Sequence, residues 1–134
     1  MIRVLVVDDH PVLRAGLESL LRMEPGFACT GTAGDAAGFW PLLRRTEPDV
    51  VLLDRHLPDA DGIDVARQIA ATPYAPAVVL YTADPSGAQG APVVAIVDKA
   101  SGPELLFDAL RLAARGVITA PAESLPTRPA PPAA

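Results

Sequence analysis

Four short runs constrain this chain more than any other feature. MIRVLVV at residues 1–7, DVVLL at 49–53, VVLY at 78–81 and VVAIV at 93–97 are rich in β-branched residues and almost unbroken by polar ones. A strand with one wet face alternates apolar and polar side chains. A continuous apolar run is what a strand buried on both faces requires. The intervening segments carry apolar residues at helical spacing instead. Val12, Leu13, Gly16, Leu17, Leu20 and Leu21 form one such series after Pro11, a residue suited to a first helical turn, and Pro25-Gly26 stops it. Residues 27–32 predict a short second strand. A helix follows from Gly34 and Asp35 to Arg45, with Pro41 predicting a kink or a late start. Ile63, Val65, Ala66, Ile69 and Ala70 mark a third helix, which Pro73 closes. Leu105, Leu106, Ala109, Leu110 and Ala113 mark a last one over 104–115, with Ser101 and Glu104 spaced as a capping box.

Alternating strands and helices of this kind predict a doubly wound α/β fold, a parallel sheet covered on both faces. One crossover is too short for the pattern. Residues 83–92 hold Pro85, Gly87, Gly90 and Pro92, and parallel strands need about a dozen residues between them. The fourth helix is therefore expected to be shortened or missing. Composition sets the outer limits. Half of the 134 residues are hydrophobic, enough for a real core. Five of the fifteen prolines fall within the last fourteen residues. This divides the chain into a folded domain over 1–118 and a Pro/Ala-rich linker or tail over 119–134. A net charge of −5 argues against direct nucleic-acid binding by this segment. The start does not resemble a secretory signal and no stretch reaches membrane-spanning length, so a cytoplasmic location without membrane contact is expected. The single cysteine, Cys29, excludes an internal disulfide and reads as a small buried hydrophobe.

The ends of the strands carry the chemistry. They are Asp8-Asp9, Asp54, Thr82 and Lys99, and a parallel sheet gathers such ends along one edge. Three crowded carboxylates repel one another and need compensation, which a hard divalent cation such as Mg²⁺ and the Lys99 ammonium would supply. A carboxylate so placed can attack phosphorus and form an aspartyl phosphate, with Thr82 donating its hydroxyl to a transferring oxygen. Asp54 ends the central strand and is the expected nucleophile. Asp9, Asp8 and the backbone carbonyl of His56 are the expected metal partners beside it. His10 is expected at the rim of the pocket. Phe39, Trp40 and Met23 are expected in helix packing, and Arg55 is expected to face solvent.

VLVVDDHPVLRAGL, VVLLDRHLPDADGIDV, VVLYTAD and VDKA together resemble the receiver domain of two-component response regulators. The HPVLRAGL segment is most similar to the subfamily that usually carries a C-terminal helix-turn-helix DNA-binding domain. The resemblance spans about residues 2–116. It implies a five-stranded sheet of order 2-1-3-4-5, Asp54 as phosphoacceptor loaded by a sensor histidine kinase, and Asp8 and Asp9 as the Mg²⁺-binding acids. It implies Thr82 and Lys99 as switch hydroxyl and phosphate-binding lysine, with Mg²⁺-dependent self-phosphorylation and slow autodephosphorylation as the only catalysis. It allows a homodimer and an output in transcription regulation. Pro58 and Gly62 match the loop after the acceptor, and His56 and Asp84 fall where the family tunes its rates. Ile96 departs from it, standing where the family usually has Tyr or Phe. With the short crossover, Ile96 supports an alternative: a pseudo-receiver that signals through contacts without phosphorylation.

Overall fold

The computed structural model describes residues 1–116, so the expected tail and the boundary at 118 lie outside the described residues. Among the described residues nine elements follow one another as β1 (Ile2–Val7), α1 (Pro11–Met23), β2 (Phe27–Ala33), α2 (Ala36–Thr46), β3 (Val50–Leu53), α3 (Gly62–Ala70), β4 (Ala77–Thr82), β5 (Ala95–Asp98) and α4 (Pro103–Ala114). The strands form one all-parallel sheet of order β2-β1-β3-β4-β5.

The continuous apolar runs are explained by two cores, one on each face. Along β1, Val4 and Val6 face one way, against Leu17 and Leu21 of α1 and Leu106 and Leu110 of α4. Leu5 and Val7 face the other, against Phe39 of α2 and Ile63, Val65 and Ile69 of α3. β3 and residues 4–7 of β1 are enclosed, since Val4, Leu5, Val6, Val50, Val51 and Leu53 are all 0% exposed. At roughly 1.5–3 kcal/mol for each large side chain removed from water, these strands anchor the fold.

No helix forms between β4 and β5. A loop covers the α2/α3 face of the sheet there and places Ala88, Ala91 and Val93 against that core. The loop is too short to cover the edge strand completely. Ile96 lies on the opposite face of β5 from the buried Val97 and is 43% exposed.

Three local expectations need correction. α2 does not start late. It begins at Ala36 and runs through Pro41, because its first turn is held by side chains on both sides of it in sequence. Asp35 accepts from the Gly38 N–H, and Asp59, from the loop after β3, accepts from the Ala36 and Ala37 N–H groups at 2.8 and 3.0 Å. α4 lacks the capping box. Gly102 is its N-cap and Pro103 opens the helix, while the Ser101 N–H bonds back to the Asp98 carbonyl. Met23, expected in packing, is 80% exposed at the last turn of α1.

Candidate functional site

Register brings the strand ends together. Val7 pairs with Leu53 and Leu53 with Leu80, while Thr82 pairs with Asp98. The residues just past these pairs therefore share one edge of the sheet. Backbone bonds continue the ladder there: Asp54 N–H to the Val7 carbonyl at 2.9 Å, and Lys99 N–H to the Thr82 carbonyl at 3.2 Å. Among the described residues, the buried polar or charged ones are Asp8, Asp54 and Thr82, and all three are on this edge. Burial of such groups in otherwise apolar strands costs stability unless they are paired.

Lys99 supplies the pairing. Its Nζ lies 2.8 Å from Asp8 Oδ2 and 3.1 Å from Asp54 Oδ2, and its stem passes Tyr81, with Nζ 6.0 Å from the ring centre. Burial raises the Asp54 carboxyl above the usual carboxylate range, against the pull of the Lys99 hydrogen bond. For Lys99, burial works against the charge, but Asp8 and Asp54 outweigh it and hold the ammonium above its ordinary value. The nucleophile candidate is thus a desolvated carboxylate steered by one fixed cation.

Ligand atoms of Asp8, Asp9, His10 and Asp54 all lie within 4.8 Å of one another. His10 stands at the rim of this cluster as expected, its side chain 63% exposed and its ring against the acids. As N-cap of α1 it donates its backbone N–H to Asp8 Oδ1 at 2.8 Å, and its ring Nδ1 lies 2.8 Å from the same oxygen and 3.1 Å from Asp9 Oδ1. Its place directly after the acid pair and before a helix-starting proline was the sequence signal for this.

Asp8 Oδ2 is buried and accepts no well-directed hydrogen bond, having only the Lys99 charge beside it. The His56 N–H donates to Asp54 Oδ1 at 3.3 Å, and the His56 carbonyl accepts no hydrogen bond among the described residues. Carboxylate oxygens with spare capacity and a free carbonyl suit a hard divalent cation better than a soft metal.

Thr82 is buried at the same edge, and its hydroxyl is engaged by Asp84. Its hydroxyl donates to the Asp84 carbonyl at 3.3 Å and accepts from the Asp84 N–H at 3.0 Å. Asp84 in turn accepts from Ser86, whose bonds lower its pKa first, with Arg55 and His56 adding to the effect.

Arg55 does not face solvent. Its side chain is only 15% exposed and reaches across to the carbonyls of Asp84 and Ser86. Sequence reasoning missed this because an arginine beside a strand end carries no signal of which loop it will meet. Gly62 explains how the loop returns. A Cβ there would lie 2.7 Å from Arg55 Cα and closer still to the Asp54 carbonyl oxygen, so only glycine lets α3 start against the acceptor backbone.

The profile of the response regulator receiver domain matches residues 4–111. The nitrate/nitrite response regulator protein NarP of Escherichia coli is 31% identical over 122 residues, covering 85% of this chain and 55% of that protein. The uncharacterized transcriptional regulatory protein YxjL of Bacillus subtilis is 36% identical over 121 residues, covering 86% and 55%. The chain thus spans about half the length of these curated relatives. A LuxR-family two-component response regulator from Aurantimonas sp. SI85-9A1 superposes with a TM-score of 0.79 at 31% identity, covering 91% of both chains. No described helix is long and apolar enough to cross a membrane. With matching strand order, acidic edge and extended sequence similarity, this chain belongs to the receiver domains of two-component response regulators.

Proposed function

We propose that this domain accepts a phosphoryl group on Asp54 from a phosphohistidine of a sensor histidine kinase. The observation that carries this reading is the buried trio of Asp8, Asp54 and Thr82 on one sheet edge, with Lys99 Nζ within 3.1 Å of both carboxylates. In the step itself, a carboxylate oxygen of Asp54 attacks phosphorus as the phosphorus–nitrogen bond breaks, and the donor imidazole leaves with the electron pair. Lys99 already faces Asp54 Oδ2 and balances charge on an incoming phosphoryl oxygen. The Thr82 hydroxyl releases the Asp84 carbonyl and turns its single proton to another of those oxygens. Asp8, Asp9, Asp54 and the His56 carbonyl would hold Mg²⁺, whose contribution is to neutralise charge on the transferring oxygens. Loss of the group is the same exchange with water as nucleophile and Asp54 as leaving carboxylate.

The output is a change in contacts made by this domain, and the named relatives support regulation of transcription through a segment outside this chain. A homodimer of the domain is compatible with that role. With its net negative charge the segment itself does not contact nucleic acid. One observation favours a second reading, in which the domain signals without phosphate. Ile96 stands on β5 where the family usually has an aromatic that changes rotamer together with Thr82, and an isoleucine cannot do this in the same way.

Incubation with Mg²⁺ and acetyl phosphate separates the two. A mass gain of one phosphoryl group, absent in Asp54→Asn, supports the first. An unchanged mass, with folding intact, supports the second.

A further inference from the structure

Arg55 follows the acceptor directly, and its backbone is fixed. Its carbonyl accepts from the Gly62 N–H at 2.5 Å, and Gly62 leaves no space for movement behind it. Its guanidinium crosses to the β4–β5 loop. Nη1 donates to the Asp84 carbonyl at 3.2 Å and to the Ser86 carbonyl, and lies 3.6 Å from Asp84 Oδ2. At Gly87, with φ +76°, a Cβ would come 3.2 Å from Nη2, so the loop closes over the guanidinium where it has no side chain. One arginine therefore caps the turn that opens the only helix-free crossover among the described residues.

The Asp84 carbonyl is the shared point. It accepts both from Arg55 and from the Thr82 hydroxyl, at 3.2 and 3.3 Å. Thr82 has one proton to give, so serving a phosphoryl oxygen means abandoning this carbonyl. Residues 83–87 are exposed, so a carbonyl there that loses one donor turns to water unless another donor is already in place. With Arg55 in place the carbonyl keeps a charge-assisted partner after Thr82 leaves.

We propose that Arg55 is the positioning residue of this switch. It holds the loop in place of the missing helix and frees the Thr82 hydroxyl by remaining on the Asp84 carbonyl. The second half rests on Asp54 being the phosphoacceptor, and the first half does not.

The test uses Arg55→Met, which keeps the stem and removes the donors, alone and with Thr82→Ala. Two quantities are read: amide exchange across residues 84–91, and the rate of phosphoryl gain from acetyl phosphate with Mg²⁺. Arg55→Met is expected to speed exchange in that loop about tenfold or more while the β1 and β3 amides stay slow. It is expected to slow labelling about fivefold, the equivalent of one ordinary hydrogen bond. Arg55→Lys, with a single point donor, falls between. In the Thr82→Ala background Arg55→Met is expected to slow labelling no further, because its effect passes through that hydroxyl.

Unchanged loop exchange, or equal slowing with and without the Thr82 hydroxyl, overturns the proposal. If the wild-type protein takes no label, the acceptor reading fails, and loop exchange alone then decides the anchoring role. If Arg55→Met does not fold, Arg55→Gln, which keeps a polar end but not the charged fork, takes its place. The same exchange and labelling changes are then expected, and their absence counts against the clamp.

Discussion

Substituting Gly62 with alanine tests how tightly the fold is built around the acceptor. The added Cβ would stand 2.7 Å from Arg55 Cα and 3.0 Å from the Asp54 carbonyl carbon. Carbon–carbon contacts settle at about 3.5–4.0 Å, so α3 and the acceptor backbone must part by roughly 1 Å. Neither side yields easily. Asp54 follows a strand paired on both sides, and α3 is fixed by the buried Ile63, Val65, Ala66 and Ile69. Parting them also breaks the Gly62 N–H bond to the Arg55 carbonyl. Overpacking of about 1–3 kcal/mol and a lost hydrogen bond of about 1 kcal/mol give a destabilisation of about 2–4 kcal/mol. For a domain of this size that lowers Tm by roughly 10–15 °C. Gly16 provides the internal control. It sits in the middle of α1, where an added methyl would meet nothing within 4 Å, so Gly16→Ala is expected to stabilise by about 0.5–1 kcal/mol. Urea unfolding and thermal melts of both variants give the answer. A neutral or stabilising Gly62→Ala would refute the close-approach argument, since helix propensity alone predicts the same sign at both positions.

The remaining predictions concern charge. Lys99→Ala leaves Asp8 and Asp54 buried without their cation and is expected to cost about 3 kcal/mol in metal-free urea unfolding, less when Mg²⁺ is added. Asp54 has a folded pKa above its unfolded one. Its contribution to stability is therefore full below the ordinary carboxylate range and is lost as pH rises through the raised pKa; Asp54→Asn should remove this component from the stability–pH curve. Asp59 runs the other way, held low by the Ala36 and Ala37 N–H groups. Its stabilisation is present above the ordinary carboxylate range and lost as pH falls through the lowered pKa, so Asp59→Ala should flatten the acid limb of the same curve. Asp35→Ala removes the side-chain cap on the Gly38 N–H and is expected to cost about 1 kcal/mol in thermal unfolding.

β1, β3 and β4 were legible because burial on both faces leaves a one-dimensional trace, an apolar run with no alternation. The site was legible for a related reason. Polar residues that end such runs must meet along one edge, and the register from Val7 to Leu53 to Leu80 brings Asp8 and Asp54 side by side. The missing crossover helix could be foreseen by counting residues between Thr82 and the fifth strand. What stayed hidden depends on contacts between distant loops. Asp59 reaching back to hold the start of α2 at Ala36, ahead of Pro41, is announced by nothing near that proline. Arg55 looks like any charged residue beside a strand end until the β4–β5 loop is folded over it. Met23 lies outside the apolar series of α1 and off the face that buries Leu17 and Leu21, so its apolar character alone did not place it in the packing.

The central claim is that Asp54 carries the phosphoryl group. The most direct measurement is chemical trapping: label the protein with acetyl phosphate and Mg²⁺, reduce it with borohydride, and locate the homoserine by peptide mass spectrometry. Homoserine is expected at position 54 and at neither Asp8 nor Asp9, with none formed when the phosphodonor is omitted. Homoserine at another acid, or labelled protein with position 54 still aspartate, would contradict the claim.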